Sequence, residues 1–198
     1  MLTKIAVLVS GGGTNLQALF DTGLENGEIV LVVSNRKAAY ALERAKARGV
    51  ETAVLSNYME PDPAVRDEKL LDLLRSHGVE VVVLAGFLGI LGEKTISAYE
   101  NRIVNIHPAL IPSFCGKGFY GLHVHEAVLE RGVKITGATA HLVNLGVDEG
   151  PILLQKAVEV LPGDTPEVLQ KRVMEEAEWK ILPAAVDMIC RQVKEEKQ

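Results

Sequence analysis

Lys4-Ile5-Ala6-Val7-Leu8-Val9 is a short, β-branched and almost continuously apolar run that stops at Ser10-Gly11-Gly12-Gly13. A strand apolar on both faces has to be covered on both faces, which places it centrally in a parallel sheet. The same pattern returns at Ile29–Val33, Val81–Leu84 and Ile103–Ile106, with a weaker run near Thr52–Leu55. Between most of these runs lie segments of helical period, roughly Asn15–Asn26, Ala38–Arg48 and Ala64–Ser76. Such βαβ alternation predicts an α/β fold with a doubly wound, mostly parallel sheet.

After Pro108 the pattern changes. Ile111 to Gly118 is rich in turn residues and reads as a long loop, followed by a helix over Leu122–Arg131. Two strands, Lys134–Leu142 and Ile152–Val160, flank the turn-rich segment Asn144–Pro151 and predict an antiparallel extension of the sheet. Thr165-Pro166-Glu167 opens a terminal helix with Thr165 as N-cap, and Pro183 is expected to kink or restart it. Lys194–Gln198 reads as a frayed tail, and His77 before Gly78 as a helix C-cap.

The chain has 198 residues, 47% hydrophobic and 24% charged, with no repeat and no Gly/Ser-rich linker. One domain spanning 1–198 is expected, its first part (about 1–106) binding phosphate and its remainder (about 107–198) completing the site. A net charge of −5 leaves no broad cationic face for nucleic acid. Cys115 and Cys190 cannot staple a fold of this size, and neither a leader pattern nor a membrane-length apolar run is seen, so a cytoplasmic location is expected.

A strand followed by Ser10-Gly11-Gly12-Gly13-Thr14-Asn15 and then a helix brings backbone N–H groups and a helix dipole to one point, where an anion binds. A tight turn holding nothing gives the same pattern. The dinucleotide fingerprint fails because Leu16 occupies its third glycine and Ser34-Asn35-Arg36 offers no ribose carboxylate. No GxxxxGK[ST] occurs, so a monophosphate is the expected ligand.

Asn105 and His107 lie two apart at the carboxyl end of a strand and point to one side. An amide donor beside an imidazole suits acyl transfer, where a carbonyl oxygen gains charge while the attacking group sheds a proton. Without a Ser or Cys elbow, direct attack by a substrate amine is favoured over a covalent intermediate. A satisfied structural network is the alternative. Asp148, on a loop, can approach His107 to raise its pKa or orient its ring, or can simply be a turn residue. His123 and His125 diverge on a helix, and no metal site is expected.

Nearly the whole chain resembles the phosphoribosylglycinamide formyltransferases, folate-dependent enzymes of purine synthesis. The resemblance rests on Ser10-Gly11-Gly12-Gly13-Thr14-Asn15-Leu16-Gln17, Val83-Leu84-Ala85-Gly86-Phe87, Asn105-Ile106-His107-Pro108, His141 and Asp148-Glu149-Gly150-Pro151. It implies a Rossmann-like formyltransferase fold and formyl transfer from the cosubstrate 10-formyltetrahydrofolate to glycinamide ribonucleotide, by a monomer or homodimer. It implies that Asn105 and His107 stabilise the oxyanion, with Asp148 holding His107 charged. Gly11, Gly12, Gly13, Thr14 and Asn15 would take the phosphate, and Glu178 the ribose hydroxyls.

By the same resemblance the pterin lies between the backbone of Leu88, Gly89, Ile90 and Leu91 and that of Asn144, Leu145, Gly146, Val147 and Asp148, with Arg66 partnering the folate glutamate. Gly89 stands where some members carry an arginine, and Glu175 where a phosphate donor is common. Phe114–Tyr120 exceeds the compact turn of many members, which suggests a mobile lid. The alternatives are another formyltetrahydrofolate-using hydrolase or formyltransferase, such as a methionyl-tRNA formyltransferase, and a non-enzymatic nucleotide-binding module.

Overall fold

Strand β1 (Thr3–Val9) lies in the interior of the sheet because its alternate side chains feed two different cores. Ile5, Val7 and Val9 join one apolar cluster and Ala6 and Leu8 the other, all with no solvent exposure. The structure, a computed structural model, describes residues 1–197. In chain order β1 is followed by α1 (Thr14–Thr22), β2 (Gly27–Ser34), α2 (Tyr40–Ala47), β3 (Glu51–Val54), α3 (Pro63–Ser76), β4 (Val81–Leu84), α4 (Glu93–Ala98) and β5 (Ile103–His107). Then come α5 (Leu122–Arg131), β6 (Ile135–Leu142), β7 (Ile152–Glu159), α6 (Pro166–Val173), a π-helical turn (Met174–Glu178) and α7 (Trp179–Glu195).

The seven strands form one sheet in the order β3-β2-β1-β4-β5-β6-β7, parallel from β3 to β5 and antiparallel through β6 and β7. Strand order reverses direction between β1 and β4, which opens a crevice at their carboxyl ends. The doubly wound sheet with an antiparallel extension is as the periodicity implies. Helix α4 was not legible as such, being only six residues long. Its N-terminus is held by Asp67, whose Oδ2 accepts from the Lys94 N–H at 2.9 Å and whose Oδ1 accepts from Thr95 Oγ1 at 2.5 Å.

Two expectations for the carboxyl-terminal helix are corrected. Pro183 does not restart it, since α7 runs through the proline to Glu195. The irregularity falls one turn earlier, in the π-turn Met174–Glu178, because a helical proline crowds the carbonyl four residues before it, here Trp179, at the end of that turn. Nor does the tail fray at Lys194. Glu196 pairs with Arg102 at 2.9 Å and Lys197 pairs with Glu80, while Gln198 lies outside the described residues. His77 caps α3, its Nδ1 2.8 Å from the Leu73 carbonyl, and that bond raises its pKa. Among the described residues no helix is long and apolar enough to cross a membrane.

Candidate active site

The loop between β1 and α1 owes its shape to Gly13. This residue is the N-cap of α1 at φ 73°, and a Cβ there would lie 2.6 Å from the Cβ of Ala41 on α2. Loop carbonyls are tied from the same side, Gly11 O by the Ala41 N–H (3.1 Å) and Gly12 O by Arg44 Nε (2.8 Å). Gly11 and Gly12 are exposed, with open space where a Cβ would point. No side chain caps α1, so N–H groups of its first turn remain available to a ligand.

In the first turn of α1, buried Asn15 donates from Nδ2 to Glu178 Oε2 at 2.7 Å, while its own Oδ1 has no partner. Glu178 comes from the π-turn, 163 residues away. Burial pushes its carboxyl up to about 7, against the lowering effect of the Asn15 amide. Glu175, in the same turn, is exposed and lies 3.8 Å from Lys171.

The polar centre forms where β5 meets β6. Antiparallel register sets Asn105 directly opposite His141 and His107 opposite Thr139. Asn105 Nδ2 lies 3.0 Å from His141 Nε2, and His141 Nδ1 2.8 Å from the Leu142 carbonyl. One amide N–H of Asn105 is thereby spent and the second is free. Asp148 closes the cluster, with Oδ2 3.6 Å from His107 Nδ1 and Oδ1 3.6 Å from His141 Nε2. Burial alone would raise the Asp148 carboxyl. The His141 ring, the Gly116 N–H at 2.9 Å and the charges of both histidines outweigh it and hold the group below its ordinary range.

One feature of this cluster departs from expectation, the direction in which His107 is shifted. His107 is buried, and desolvation lowers its pKa despite the opposing pull of Asp148 and of the Phe114 carbonyl, which lies 2.8 Å from Nε2. A neutral ring bonded in that way carries its proton on Nε2 and a lone pair on Nδ1. The stretch expected to form a mobile lid is seated on the site. Phe114, at φ 50°, supplies the carbonyl to His107, Gly116 supplies an N–H to Asp148, and Phe114 meets Phe119 edge-on at 6.3 Å. Sequence reading missed both backbone contacts, which depend on the path of an irregular loop.

A cavity of about 800 Å³ opens across the ends of β1 and β2. Of the expected folate residues, Arg66, Leu88, Gly89, Ile90 and Leu91 line it. Asn144, Leu145, Gly146, Val147 and Asp148 do not. They form a separate loop, braced by the Gly146 N–H on Asn144 Oδ1 (3.0 Å), with exposed Leu145 and Val147 and with Asp148 at φ 59°. The Leu88 N–H donates to Ser10 Oγ at 2.8 Å, tying the cavity wall to the glycine loop. A Cβ at Gly89 would lie 2.6 Å from the far end of the Phe87 ring, which must move to admit a side chain there. The sequence reading passed over one cation in this lining, Arg36, although an arginine just past a central parallel strand is a signal in itself.

His123 is exposed and 2.9 Å from Glu126, whereas His125 is fully buried with neither ring nitrogen bonded. Burial, reinforced by nearby His107, pushes the pKa of His125 down to about 4. Among the described residues no group of three His, Cys, Asp or Glu could hold a metal ion.

The fold and site together define a doubly wound α/β protein with a glycine-rich loop and an amide–imidazole–carboxylate centre on one sheet edge. The sequence profile described as formyl transferase matches residues 3–186, and the chain belongs to that family. It is 44% identical over 193 residues to the chloroplastic phosphoribosylglycinamide formyltransferase of Arabidopsis thaliana, covering 96% of this chain and 66% of that protein. It is 40% identical over 190 residues to the trifunctional purine biosynthetic protein adenosine-3 of Bos taurus, covering 94% of this chain and 18% of that one. The crystal structure of glycinamide ribonucleotide transformylase 1 from Symbiobacterium toebii superposes with a TM-score of 0.90 at 42% identity, covering 96% of this chain and 89% of that one.

Proposed function

We propose that this protein transfers the formyl group of 10-formyltetrahydrofolate to the primary amine of glycinamide ribonucleotide, in purine biosynthesis in the cytoplasm. The observation that carries the reading is the placement of Asn105, His107 and Asp148 at the same sheet edge as the glycine loop and the cavity. The ribonucleotide phosphate is held by the N–H groups of Gly11, Gly12, Gly13, Thr14 and Asn15, and its ribose hydroxyls by Glu178. The folate lies along Leu88–Leu91 with its tail toward Arg66, and the 144–148 loop covers the pterin. Residues 1–198 act as one domain, with the phosphate half before about residue 106. The names of the relatives and the match to the formyl transferase profile support this choice of substrates.

The chemistry follows from the donors and acceptors present. The amine nitrogen bonds to the formyl carbon, and the carbonyl oxygen takes up negative charge that the free N–H of Asn105 stabilises. The nitrogen, now an ammonium, loses a proton to the Nδ1 lone pair of His107, whose resulting N–H faces Asp148. Collapse of the intermediate breaks the bond to N10 of the folate, and N10 receives that proton. The products are a formamide and tetrahydrofolate, with atoms and charge balanced.

Mixing the protein with both substrates and following the absorbance of the folate product tests the reading. Product formation that needs both substrates is expected. Formate release without the ribonucleotide would point to a hydrolase, and ribonucleotide binding without turnover to a nucleotide-binding module.

A further inference from the structure

A row of three residues crosses the antiparallel part of the sheet. His107 on β5 lies opposite Thr139 on β6, and Thr139 lies opposite Gln155 on β7, the outermost strand. Residues directly opposite one another share a face of the sheet, so the three side chains stand on one side. Thr139 is fully buried, and its hydroxyl donates to the Ala109 carbonyl at 2.7 Å and accepts from the Ile111 N–H at 3.1 Å. Gln155 Nε2 donates to that hydroxyl and to the Ile111 carbonyl, both at 3.0 Å. A carbonyl only accepts, so the nitrogen of the Gln155 amide, and not its oxygen, faces Ile111. Both hydrogens of the amide are spent, and Ile111 is held at its N–H and its carbonyl together.

Gln155 is exposed, where water would satisfy an amide and where ordering a long side chain costs entropy. What its two bonds secure is the chain that leaves β5 just after His107. Further along that chain the Phe114 carbonyl meets His107 Nε2 at 2.8 Å, and the Gly116 N–H bonds to Asp148 Oδ2 at 2.9 Å. Asp148 by itself would draw the ring proton to Nδ1, which lies 3.6 Å from Oδ2. The Phe114 carbonyl draws it to Nε2 from a shorter distance. Which nitrogen carries the proton therefore depends on where the loop holds that carbonyl.

We propose that Gln155 is a positioning residue for His107. Through Thr139 and Ile111 it fixes the path of loop 109–116, and so keeps the ring proton on Nε2 and the lone pair on Nδ1. The inference rests on the formyl-transfer reading only for the use of that lone pair as the base.

The test removes the donors of Gln155 and reads the imidazole directly. Gln155→Met keeps the length of the side chain without its N–H groups, and Gln155→Lys returns donors to the position. Long-range ¹H–¹⁵N correlation spectra of the substrate-free protein, assigned by loss of the His107 signals in His107→Ala, show which ring nitrogen is protonated. The wild type should carry the proton on Nε2. In Gln155→Met both nitrogens should move to values of a tautomer mixture. Its kcat should fall about tenfold, as for one net hydrogen bond, with KM for the ribonucleotide within about twofold and Tm almost unchanged. Gln155→Lys should recover the Nε2–H tautomer and most of the lost rate. The Nε2–H tautomer retained in Gln155→Met overturns the proposal whatever happens to kcat or Tm, since the glutamine then only supports the fold. A tautomer mixture with undiminished kcat overturns it as well. If the protein transfers no formyl group, a tautomer that still depends on Gln155 leaves the positioning standing and overturns the formyl-transfer reading instead.

Discussion

The Nδ2 of Asn15 and the Oε2 of Glu178, 2.7 Å apart, tie the amino-terminal helix to the carboxyl-terminal segment beside the glycine loop. Asn15 sits in the first turn of α1 and Glu178 ends the π-turn before α7. A π-turn swings side chains out of the register that an α-helix would impose, and such turns recur at functional sites. Here it aims a carboxylate into a buried position that a regular helix would give to another residue.

That carboxylate makes stability depend on pH in a specific window. Its folded pKa, about 7, lies above the ordinary 4.5, so the folded protein binds a proton there more tightly than the unfolded chain. Its contribution to stability is full below about 4.5 and is lost as pH rises through 7. Glu178→Gln keeps an acceptor for Asn15 and removes the titration. The variant should gain on the order of 1–3 kcal/mol relative to wild type between pH 5 and pH 8, read as diverging Tm values. Parallel Tm curves would show that the carboxyl titrates normally.

The glycine loop separates support of the fold from contact with the ligand. Gly13→Ala forces a Cβ onto Ala41 at a left-handed φ and should cost roughly 1–3 kcal/mol, seen as a lower Tm. Gly12→Val meets open space, should leave Tm almost unchanged, and should raise KM for the ribonucleotide several-fold without raising KM for the folate. A Gly12→Val protein with unaltered KM values would remove the loop from the phosphate site.

Legibility in the sequence tracked the range of the forces involved. Strands β1, β2, β4 and β5 showed as apolar runs because burial on both faces favours apolar side chains along most of each strand. The cap Thr165 with Pro166 showed because capping is local chemistry, and Thr165 Oγ1 does accept the Val168 N–H at 3.4 Å. The pairing of Asn105 with His141 depends on the register of β6 against β5, which no local pattern encodes. For a related reason the lowered pKa of His107 was not legible. Its neighbour Asp148 is visible in sequence, whereas the desolvation that outweighs it is a property of the packed fold.

Gly89 offers a test of packing against charge. By the resemblance, an arginine there would add a folate contact. In this chain the first side-chain atom would collide with the Phe87 ring at 2.6 Å and press on Asn35 Nδ2 at 3.3 Å. Gly89→Arg should therefore raise KM for the folate, and Gly89→Ala should do so to a lesser degree, each with a loss of stability of about 1–3 kcal/mol. Tighter folate binding by Gly89→Arg would mean that Phe87 yields freely.

The centre formed by Asn105, His107 and Asp148 makes the sharpest demand, because the shifts of His107 and Asp148 are linked. Desolvation lowers the His107 pKa and Asp148 partly offsets it, so Asp148→Asn should move the midpoint lower still. Ring titration of His107 by NMR should give a midpoint below the ordinary 6.5 in wild type and a further drop in the variant. The sign for stability is the same for both groups. Each is depressed in the folded state, so each contributes above its unfolded pKa and loses that contribution as pH falls through its folded value. In catalysis, losing the Asn105 donor or the His107 base should each lower kcat by roughly 100-fold or more, with smaller changes in KM. Asp148→Asn should lower kcat comparably, since the imidazolium formed on His107 would lose the carboxylate it faces. Retention of most wild-type kcat in His107→Ala, or a His107 midpoint that rises in Asp148→Asn, would show that the proton of the attacking amine leaves by another route.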